Sequence, residues 1–284
     1  MSFDKVGVVG GGTMGAGIAE VTARAGCDVV VLEVSAAAVD AGDGRLKTSL
    51  GRAVRTGRLT EDERDAVLAR ISWVTDDEGL ADRDLVIEAA PEDEQLKFDI
   101  FRRLDKVVQP AAILASNTSS IPLVKMAAVT GRPQQVVGVH FFNPVPVLPL
   151  VEIVESLLTS RDTLLAVTDF AEKRLNKQTI RSKDRAGFVV NALLIPYLLS
   201  AVRMLESGFA SAEDIDQGMV KGCAHPMGPL ALADLIGLDT TAAVAQSMYE
   251  EFIEPLFAPP PLLRRMCEAG LLGRKVGQGF FAYH

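Results

Sequence analysis

Val6-Gly7-Val8-Val9-Gly10-Gly11-Gly12-Thr13-Met14-Gly15 is the stretch on which the fold turns. A short apolar run breaks off at three glycines, after which Met14, Ile18, Val21 and Ala25 recur at helical spacing as far as Gly26. The pattern reads as strand, tight turn, helix and C-cap. A second apolar run, Val29-Val30-Val31-Leu32, follows and stops at Glu33. These pieces form one βαβ unit of about thirty residues, for which a parallel sheet with a right-handed crossover is expected. Further runs, Leu85-Val86-Ile87, Ala112-Ile113-Leu114-Ala115 and Val136-Val137-Gly138-Val139, alternate with helical stretches such as Glu94–Val107. The predicted fold class is α/β, a Rossmann-type doubly wound sheet.

Strand-like runs cease after about residue 186, where long apolar-periodic stretches take over at 188–207, 212–221, 228–254 and 260–270. The expected organisation is a dinucleotide-binding domain over 1–186 and a smaller all-helical domain over 187–284. Arg181-Ser182-Lys183-Asp184-Arg185 reads as a polar bridge between them.

With 48% hydrophobic and 23% charged residues in 284, the chain can bury enough apolar surface to offset the entropy of ordering, which excludes global disorder. The 29 Lys and Arg against 37 Asp and Glu leave a formal charge of −8, the wrong sign for broad contact with a nucleic-acid backbone. Any polyanionic ligand must therefore be met by backbone N–H groups or by a local basic cluster. Cys27, Cys223 and Cys267 are odd in number and far apart, so no disulfide framework or thiolate metal site is expected, and a reducing cytoplasm suits them. No cluster of Cys, His, Asp and Glu has metal-ligand spacing. Met1-Ser2-Phe3-Asp4-Lys5 runs straight into the first strand without the three parts of an export signal. Asn191, Pro196, Ser200 and Arg203 interrupt Phe188–Leu205, which reads as a buried helix rather than a membrane span.

Three glycines alone are a weak signal, but Gly10-x-Gly12-x-x-Gly15 ends a strand and opens a helix. There the backbone N–H groups and the helix dipole, with Thr13 and Met14 in the first turn, can approach a pyrophosphate that a Cβ would block. Glu33, eighteen residues past Gly15 at the end of the next strand, can accept hydrogen bonds from a ribose 2′-OH. A carboxylate there repels a 2′-phosphate, so NAD is predicted over NADP. The competing reading is a glycine turn and a surface acid.

His140 directly follows a strand at its carboxyl end, where open α/β sheets place their ligands. Twelve residues on, Leu150-Val151-Glu152-Ile153-Val154 sets one carboxylate in an apolar run, and a buried acid without a partner is costly. Pairing of Glu152 with His140 would orient the imidazole and favour its protonated form, as a general base requires. A lone structural histidine is the alternative. Ser116-Asn117-Thr118-Ser119-Ser120 is a hydroxyl-rich carboxyl-end loop, readable also as a turn or as the N-cap of a helix before Leu123. Asn191 is a polar amide within an apolar helix, where it needs a partner or a ligand.

Taken whole, the chain closely resembles the short-chain L-3-hydroxyacyl-CoA dehydrogenase family, and within it the single-function bacterial 3-hydroxybutyryl-CoA dehydrogenases. The resemblance runs from Val6 to Tyr283. It rests on Gly10–Gly15, Ala115–Ser120, His140-Phe141-Phe142-Asn143-Pro144-Val145-Pro146, Gly187-Phe188-Val189-Val190-Asn191, His225-Pro226-Met227-Gly228-Pro229, Gly273-Arg274-Lys275 and Gly277-Gln278-Gly279-Phe280. It implies His140 as catalytic base, Glu152 as its acidic partner, and Ser119 and Asn191 as hydrogen-bonding residues at the substrate. It puts cofactor contacts at Glu33, Ala89, Glu92, Lys97, Ser119 and Asn143. An acyl-CoA substrate and a homodimer formed through the helical domain are also implied. Where the family often has Arg after the asparagine, this chain has Ala192. His225 is read as structural.

CoA is a polyanion, and an acidic chain must meet it locally. At about 100° per residue, Arg45, Ser49, Arg52 and Arg55 share one side of a helix, opposite Leu46, Leu50, Ala53 and Val54. That side could receive CoA phosphates, or it is an ordinary solvated face. Three other readings stay open. One is a same-fold dehydrogenase of a free hydroxy acid or sugar acid, of the L-gulonate type. A lysine-dependent β-hydroxyacid dehydrogenase is another, although Val189–Leu194 holds no Lys. The third is a non-catalytic NAD-binding protein.

Overall fold

The computed structural model describes residues 3–283. Met1 and Ser2, where the export-signal reading starts, and His284 lie outside the described residues. The chain divides into two compact units, Met1–Asp184 and Arg185–His284.

The first unit is built on one eight-stranded sheet: β1 (Lys5–Val9), β2 (Asp28–Leu32), β3 (Ile71–Val74), β4 (Leu85–Glu88), β5 (Ile113–Ser116), β6 (Val136–Phe141), β7 (Leu150–Glu155) and β8 (Gln178–Lys183). The spatial order is β3-β2-β1-β4-β5-β6-β7-β8. All neighbours from β3 to β6 pair in parallel, β7 runs antiparallel to β6, and β8 runs parallel to β7. The order reverses at β1 and β4, and ligands of open α/β sheets bind at such a switch point. The glycine turn follows β1 at that place. Val6, Val8, Val29, Val31, Leu85 and Ile87 are buried together on one face and Val30, Leu32 and Val86 on the other, as expected of strands covered on both faces.

Helix α1 (Thr13–Arg24) ends as the spacing predicts. Gly26 takes φ +86°, and the N–H groups of Gly26 and Cys27 close on the carbonyls of Ala23 and Thr22. Helix α2 (Ala36–Arg55) buries Leu46, Leu50 and Ala53. The remaining helices of this unit are α3 (Glu61–Leu68), α4 (Glu94–Val107), α5 (Leu123–Ala128) and α6 (Arg161–Asp169).

Two strands escape the sequence reading. Ile71-Ser72-Trp73-Val74 is only partly buried, and edge strand β8, Gln178–Lys183, alternates apolar with polar residues too weakly to stand out. Part of the polar bridge is therefore strand, because Arg181, Ser182 and Lys183 pair with Ile153, Val154 and Glu155 of β7.

The second unit is helical, with α7 (Val190–Glu206), α8 (Ala212–Gln217), α9 (Pro229–Ile236), α10 (Leu238–Phe252) and α11 (Pro261–Glu268). Ile195, Leu198, Leu199, Val202, Leu230 and Met248 pack in its core. The stretch 228–254 is two helices rather than one, since Gly237 at φ +105° ends α9 and begins α10. Two buried acids organise the family blocks here. Asp216 accepts from the N–H groups of Leu230 and Ala231 at the start of α9, and Asp234 accepts from those of Phe280 and Phe281 and from the Tyr283 hydroxyl. Among the described residues no helix is long and apolar enough to cross a membrane.

Candidate active site

At the glycine turn, Gly10 adopts φ +92°, a conformation that side-chain-bearing residues rarely take. A Cβ at Gly15 would collide with the Gly10 carbonyl oxygen, so the third glycine lets α1 start directly on the turn. A Cβ at Gly12 would meet nothing within 4 Å, and no side chain caps α1. An open cradle at an uncapped helix N-terminus, with Thr13 and Met14 in its first turn, fits a pyrophosphate. Beside it, the Gly11 N–H donates to Glu33 Oε1 at 2.5 Å and the Val34 N–H to Oε2 at 3.1 Å, so the carboxylate is fixed next to the turn. The residues present fit a dinucleotide.

After β4 and β5 comes a polar network. Lys97, 1% exposed, sets Nζ 2.5 Å from Oε1 of fully buried Glu88 and 3.3 Å from Oε2 of Glu92. Glu88 also accepts from the Ala90 N–H and the Ser116 hydroxyl, each at 2.6 Å. Glu92 Oε1 accepts from the Thr118 and Ser120 hydroxyls and, at 3.2 Å, from the Ser119 N–H. Partial desolvation pushes up the carboxyl of Glu92, whose side chain is still 39% exposed, but the Lys97 ammonium and those three donors outweigh it and hold its pKa below the ordinary range. Ser119 thus joins through its backbone. Ala89 follows β4 directly, and its carbonyl oxygen lies where a Cβ on Gly10 would reach. The loop Ser116–Ser120 is not the N-cap of α5, whose first N–H groups, on Leu123 and Val124, donate instead to Asp184.

His140 and Glu152 stand directly opposite each other in the antiparallel register of β6 and β7. The His140 ring, 7% exposed, brings Nδ1 to 2.7 Å from Oε2 of fully buried Glu152. Asn117 Oδ1 accepts from the Phe141 N–H at 2.9 Å, tying the end of β6 to the hydroxyl-rich loop.

Arg45, Ser49 and Arg52 line a cleft of about 770 Å³ in the first unit, together with Gly17, Asn143 and Pro144. Arg55, the last residue of α2, is not part of that lining. Asn191 lies in the first turn of α7 and is half-buried, a position less enclosed than the mid-helix burial its apolar neighbours suggest. His225 Nδ1 is 3.1 Å from the Tyr197 hydroxyl within the helical unit.

Sequence reasoning missed Glu88, Asn117 and Ser116. Glu88 carries the signal that exposed Glu33, an acid ending an apolar strand, while Asn117 and Ser116 sit in the quoted loop but acquire partners only through folding.

Residues 5–185 match the NAD binding domain of 3-hydroxyacyl-CoA dehydrogenase and residues 187–283 its C-terminal domain. The chain belongs to the 3-hydroxyacyl-CoA dehydrogenase family. It is 57% identical over 283 residues to 3-hydroxybutyryl-CoA dehydrogenase of Mycobacterium tuberculosis, covering 99% of each chain. The solved structure of Mycobacterium tuberculosis FadB2 matches with a TM-score of 0.99 at 56% identity, and that of (S)-3-hydroxybutyryl-CoA dehydrogenase PaaH1 from Ralstonia eutropha with 0.94 at 47%; each comparison spans 100% of both chains. A member of this family is an NAD-dependent oxidoreductase.

Proposed function

We propose that this 3-hydroxyacyl-CoA dehydrogenase oxidises L-3-hydroxybutyryl-CoA to acetoacetyl-CoA and catalyses the reverse reduction. The observation that carries the reading is the 2.7 Å contact between His140 Nδ1 and Glu152 Oε2 at the carboxyl end of β6. An imidazole that donates Nδ1–H to a carboxylate presents Nε2 as its basic atom and is stabilised when it becomes an imidazolium. His140 removes the proton of the C3 hydroxyl, Glu152 holds the resulting positive charge, and Ser119 and Asn191 hold the substrate oxygens. The chemistry that bound NAD would supply is that of a hydride acceptor for C3. In the reverse direction His140 returns the proton, and because reduction consumes a proton, low pH favours it by mass action. Gly10, Gly12, Thr13, Met14 and Gly15 receive the pyrophosphate. Glu33 receives the ribose and disfavours a 2′-phosphate. Ala89, Glu92, Lys97 and Asn143 complete the cofactor contacts.

Arg45, Ser49 and Arg52 meet the CoA phosphates, and the cleft they line supports that assignment. The chain forms a homodimer through its helical unit. Parallel assays of acetoacetyl-CoA and free acetoacetate with NADH test the substrate class. Turnover of the thioester alone is expected, and preference for the free acid would overturn the reading in favour of a hydroxy-acid dehydrogenase.

A further inference from the structure

Lys177, between α6 and β8, is 8% exposed. Its Nζ donates to the carbonyl oxygens of Val145 at 2.6 Å and Leu148 at 2.7 Å. Among the described residues no carboxylate pairs with it, although a buried ammonium ordinarily demands one. The loop it grips explains the exception. Asn143–Pro149 contains Pro144, Pro146 and Pro149, none of which has a backbone N–H, so the loop is rich in acceptors and poor in donors. Its own turn uses the Val147 and Leu148 N–H groups on the single carbonyl of Pro144. The Val145 and Leu148 carbonyls are answered from outside, by one charged donor.

On its other side the loop is wedged against α1, where a Cβ on Gly17 would come 2.9 Å from that of Val145, itself 2% exposed. The ammonium and the wedge together leave this segment little freedom, and Asn143 and Pro144 at its start line the cleft beside α1 and α2. We propose that Lys177 is a positioning residue, which holds the loop Asn143–Pro149 so that Asn143 meets the cofactor. The proposal rests on the reading of Asn143 as a cofactor contact. Burial also pulls the Lys177 pKa down, with the charge of Arg24 adding to the effect, so the loop's hold on this ammonium is opposed by its surroundings.

The test compares K177M, K177R, N143A and N143A/K177M in steady-state kinetics, with amide hydrogen exchange at Val147 and Leu148. K177M should speed exchange at both amides and raise KM for NAD about tenfold, the scale of one charge-assisted hydrogen bond, while kcat falls less. K177R, which keeps a charged donor, should return KM for NAD to within about threefold of wild type, because charge-assisted donors are the strong ones. In the double variant K177M should add little to N143A, since residues acting through one contact are not additive. Faster exchange with an unchanged KM for NAD would overturn the proposal, as would effects of N143A and K177M that multiply in full. If N143A alone leaves KM for NAD unchanged, the Asn143 reading falls and the Lys177 proposal falls with it. If K177M does not fold, K177Q replaces it under the same criteria.

Discussion

His140 and Glu152 divide one task between two side chains. The carboxylate is fully buried and the imidazole nearly so, which strengthens their interaction relative to water and fixes the ring. Replacing His140 with Ala should lower kcat by about 10²–10⁴-fold, the usual worth of general-base assistance, with NAD affinity little changed. Near-normal turnover of H140A would remove the residue from the mechanism. Glu92 offers a test of a different kind. Its pKa is held below the ordinary 4.5, so its charged form stabilises the folded state above that value, and the contribution is lost as pH falls through the lowered pKa. The stability gap between wild type and E92Q should therefore be constant at neutral pH and shrink as solutions are acidified below about 4.5, as followed by denaturant titration. A gap independent of pH would show that Glu92 acts by packing alone. At this scale much was legible: glycines, a strand-ending acid and a lone carboxylate among apolar residues each break a local pattern. Lys177 broke none, because a lysine before a strand is ordinary until its burial is known.

At the scale of elements, α2 carries the CoA assignment. Its buried stripe of Leu46, Leu50 and Ala53 follows from spacing, and the opposite face had offered Arg52 and Arg55 as equals. The cleft separates them, since Arg52 lines it and Arg55 does not. R52A should raise KM for the CoA substrate severalfold and flatten its salt dependence, while R55A should change neither. Equal effects of the two substitutions would return this face to simple solvation. The pairing of β6 with β7 is a second case. The sequence marked β6 as a strand and β7 only as an apolar run around one carboxylate, and it is the antiparallel register that sets His140 opposite Glu152; a shift by one residue would send the two side chains to opposite faces. Edge strands β3 and β8 stayed hidden because half-exposed strands lack the continuous apolar run that marks the central ones.

For the whole molecule, the helical unit leaves large apolar side chains in solvent, Leu193 at 74% and Phe209 at 80% exposure among them. Such groups mark association surfaces when they gather. Sedimentation should give a dimer for the wild type, and L193D/F209D should sediment at half its mass with the fold retained. A wild-type monomer would end the dimer reading. The sequence by itself determined the α/β class, the helical second half, the glycine cradle and the candidate base, because apolar strand runs, helix period and the turn conformation that glycine allows are read from neighbours along the chain. Only the tertiary structure decided which residues meet: the register that joins His140 to Glu152, the network of Glu88, Lys97 and Glu92, and the hold of Lys177 on the loop after β6. Those contacts depend on how strands and loops fold back on one another, and the burial that strengthens the Glu88, Glu152 and Lys177 contacts exists only once the core has closed.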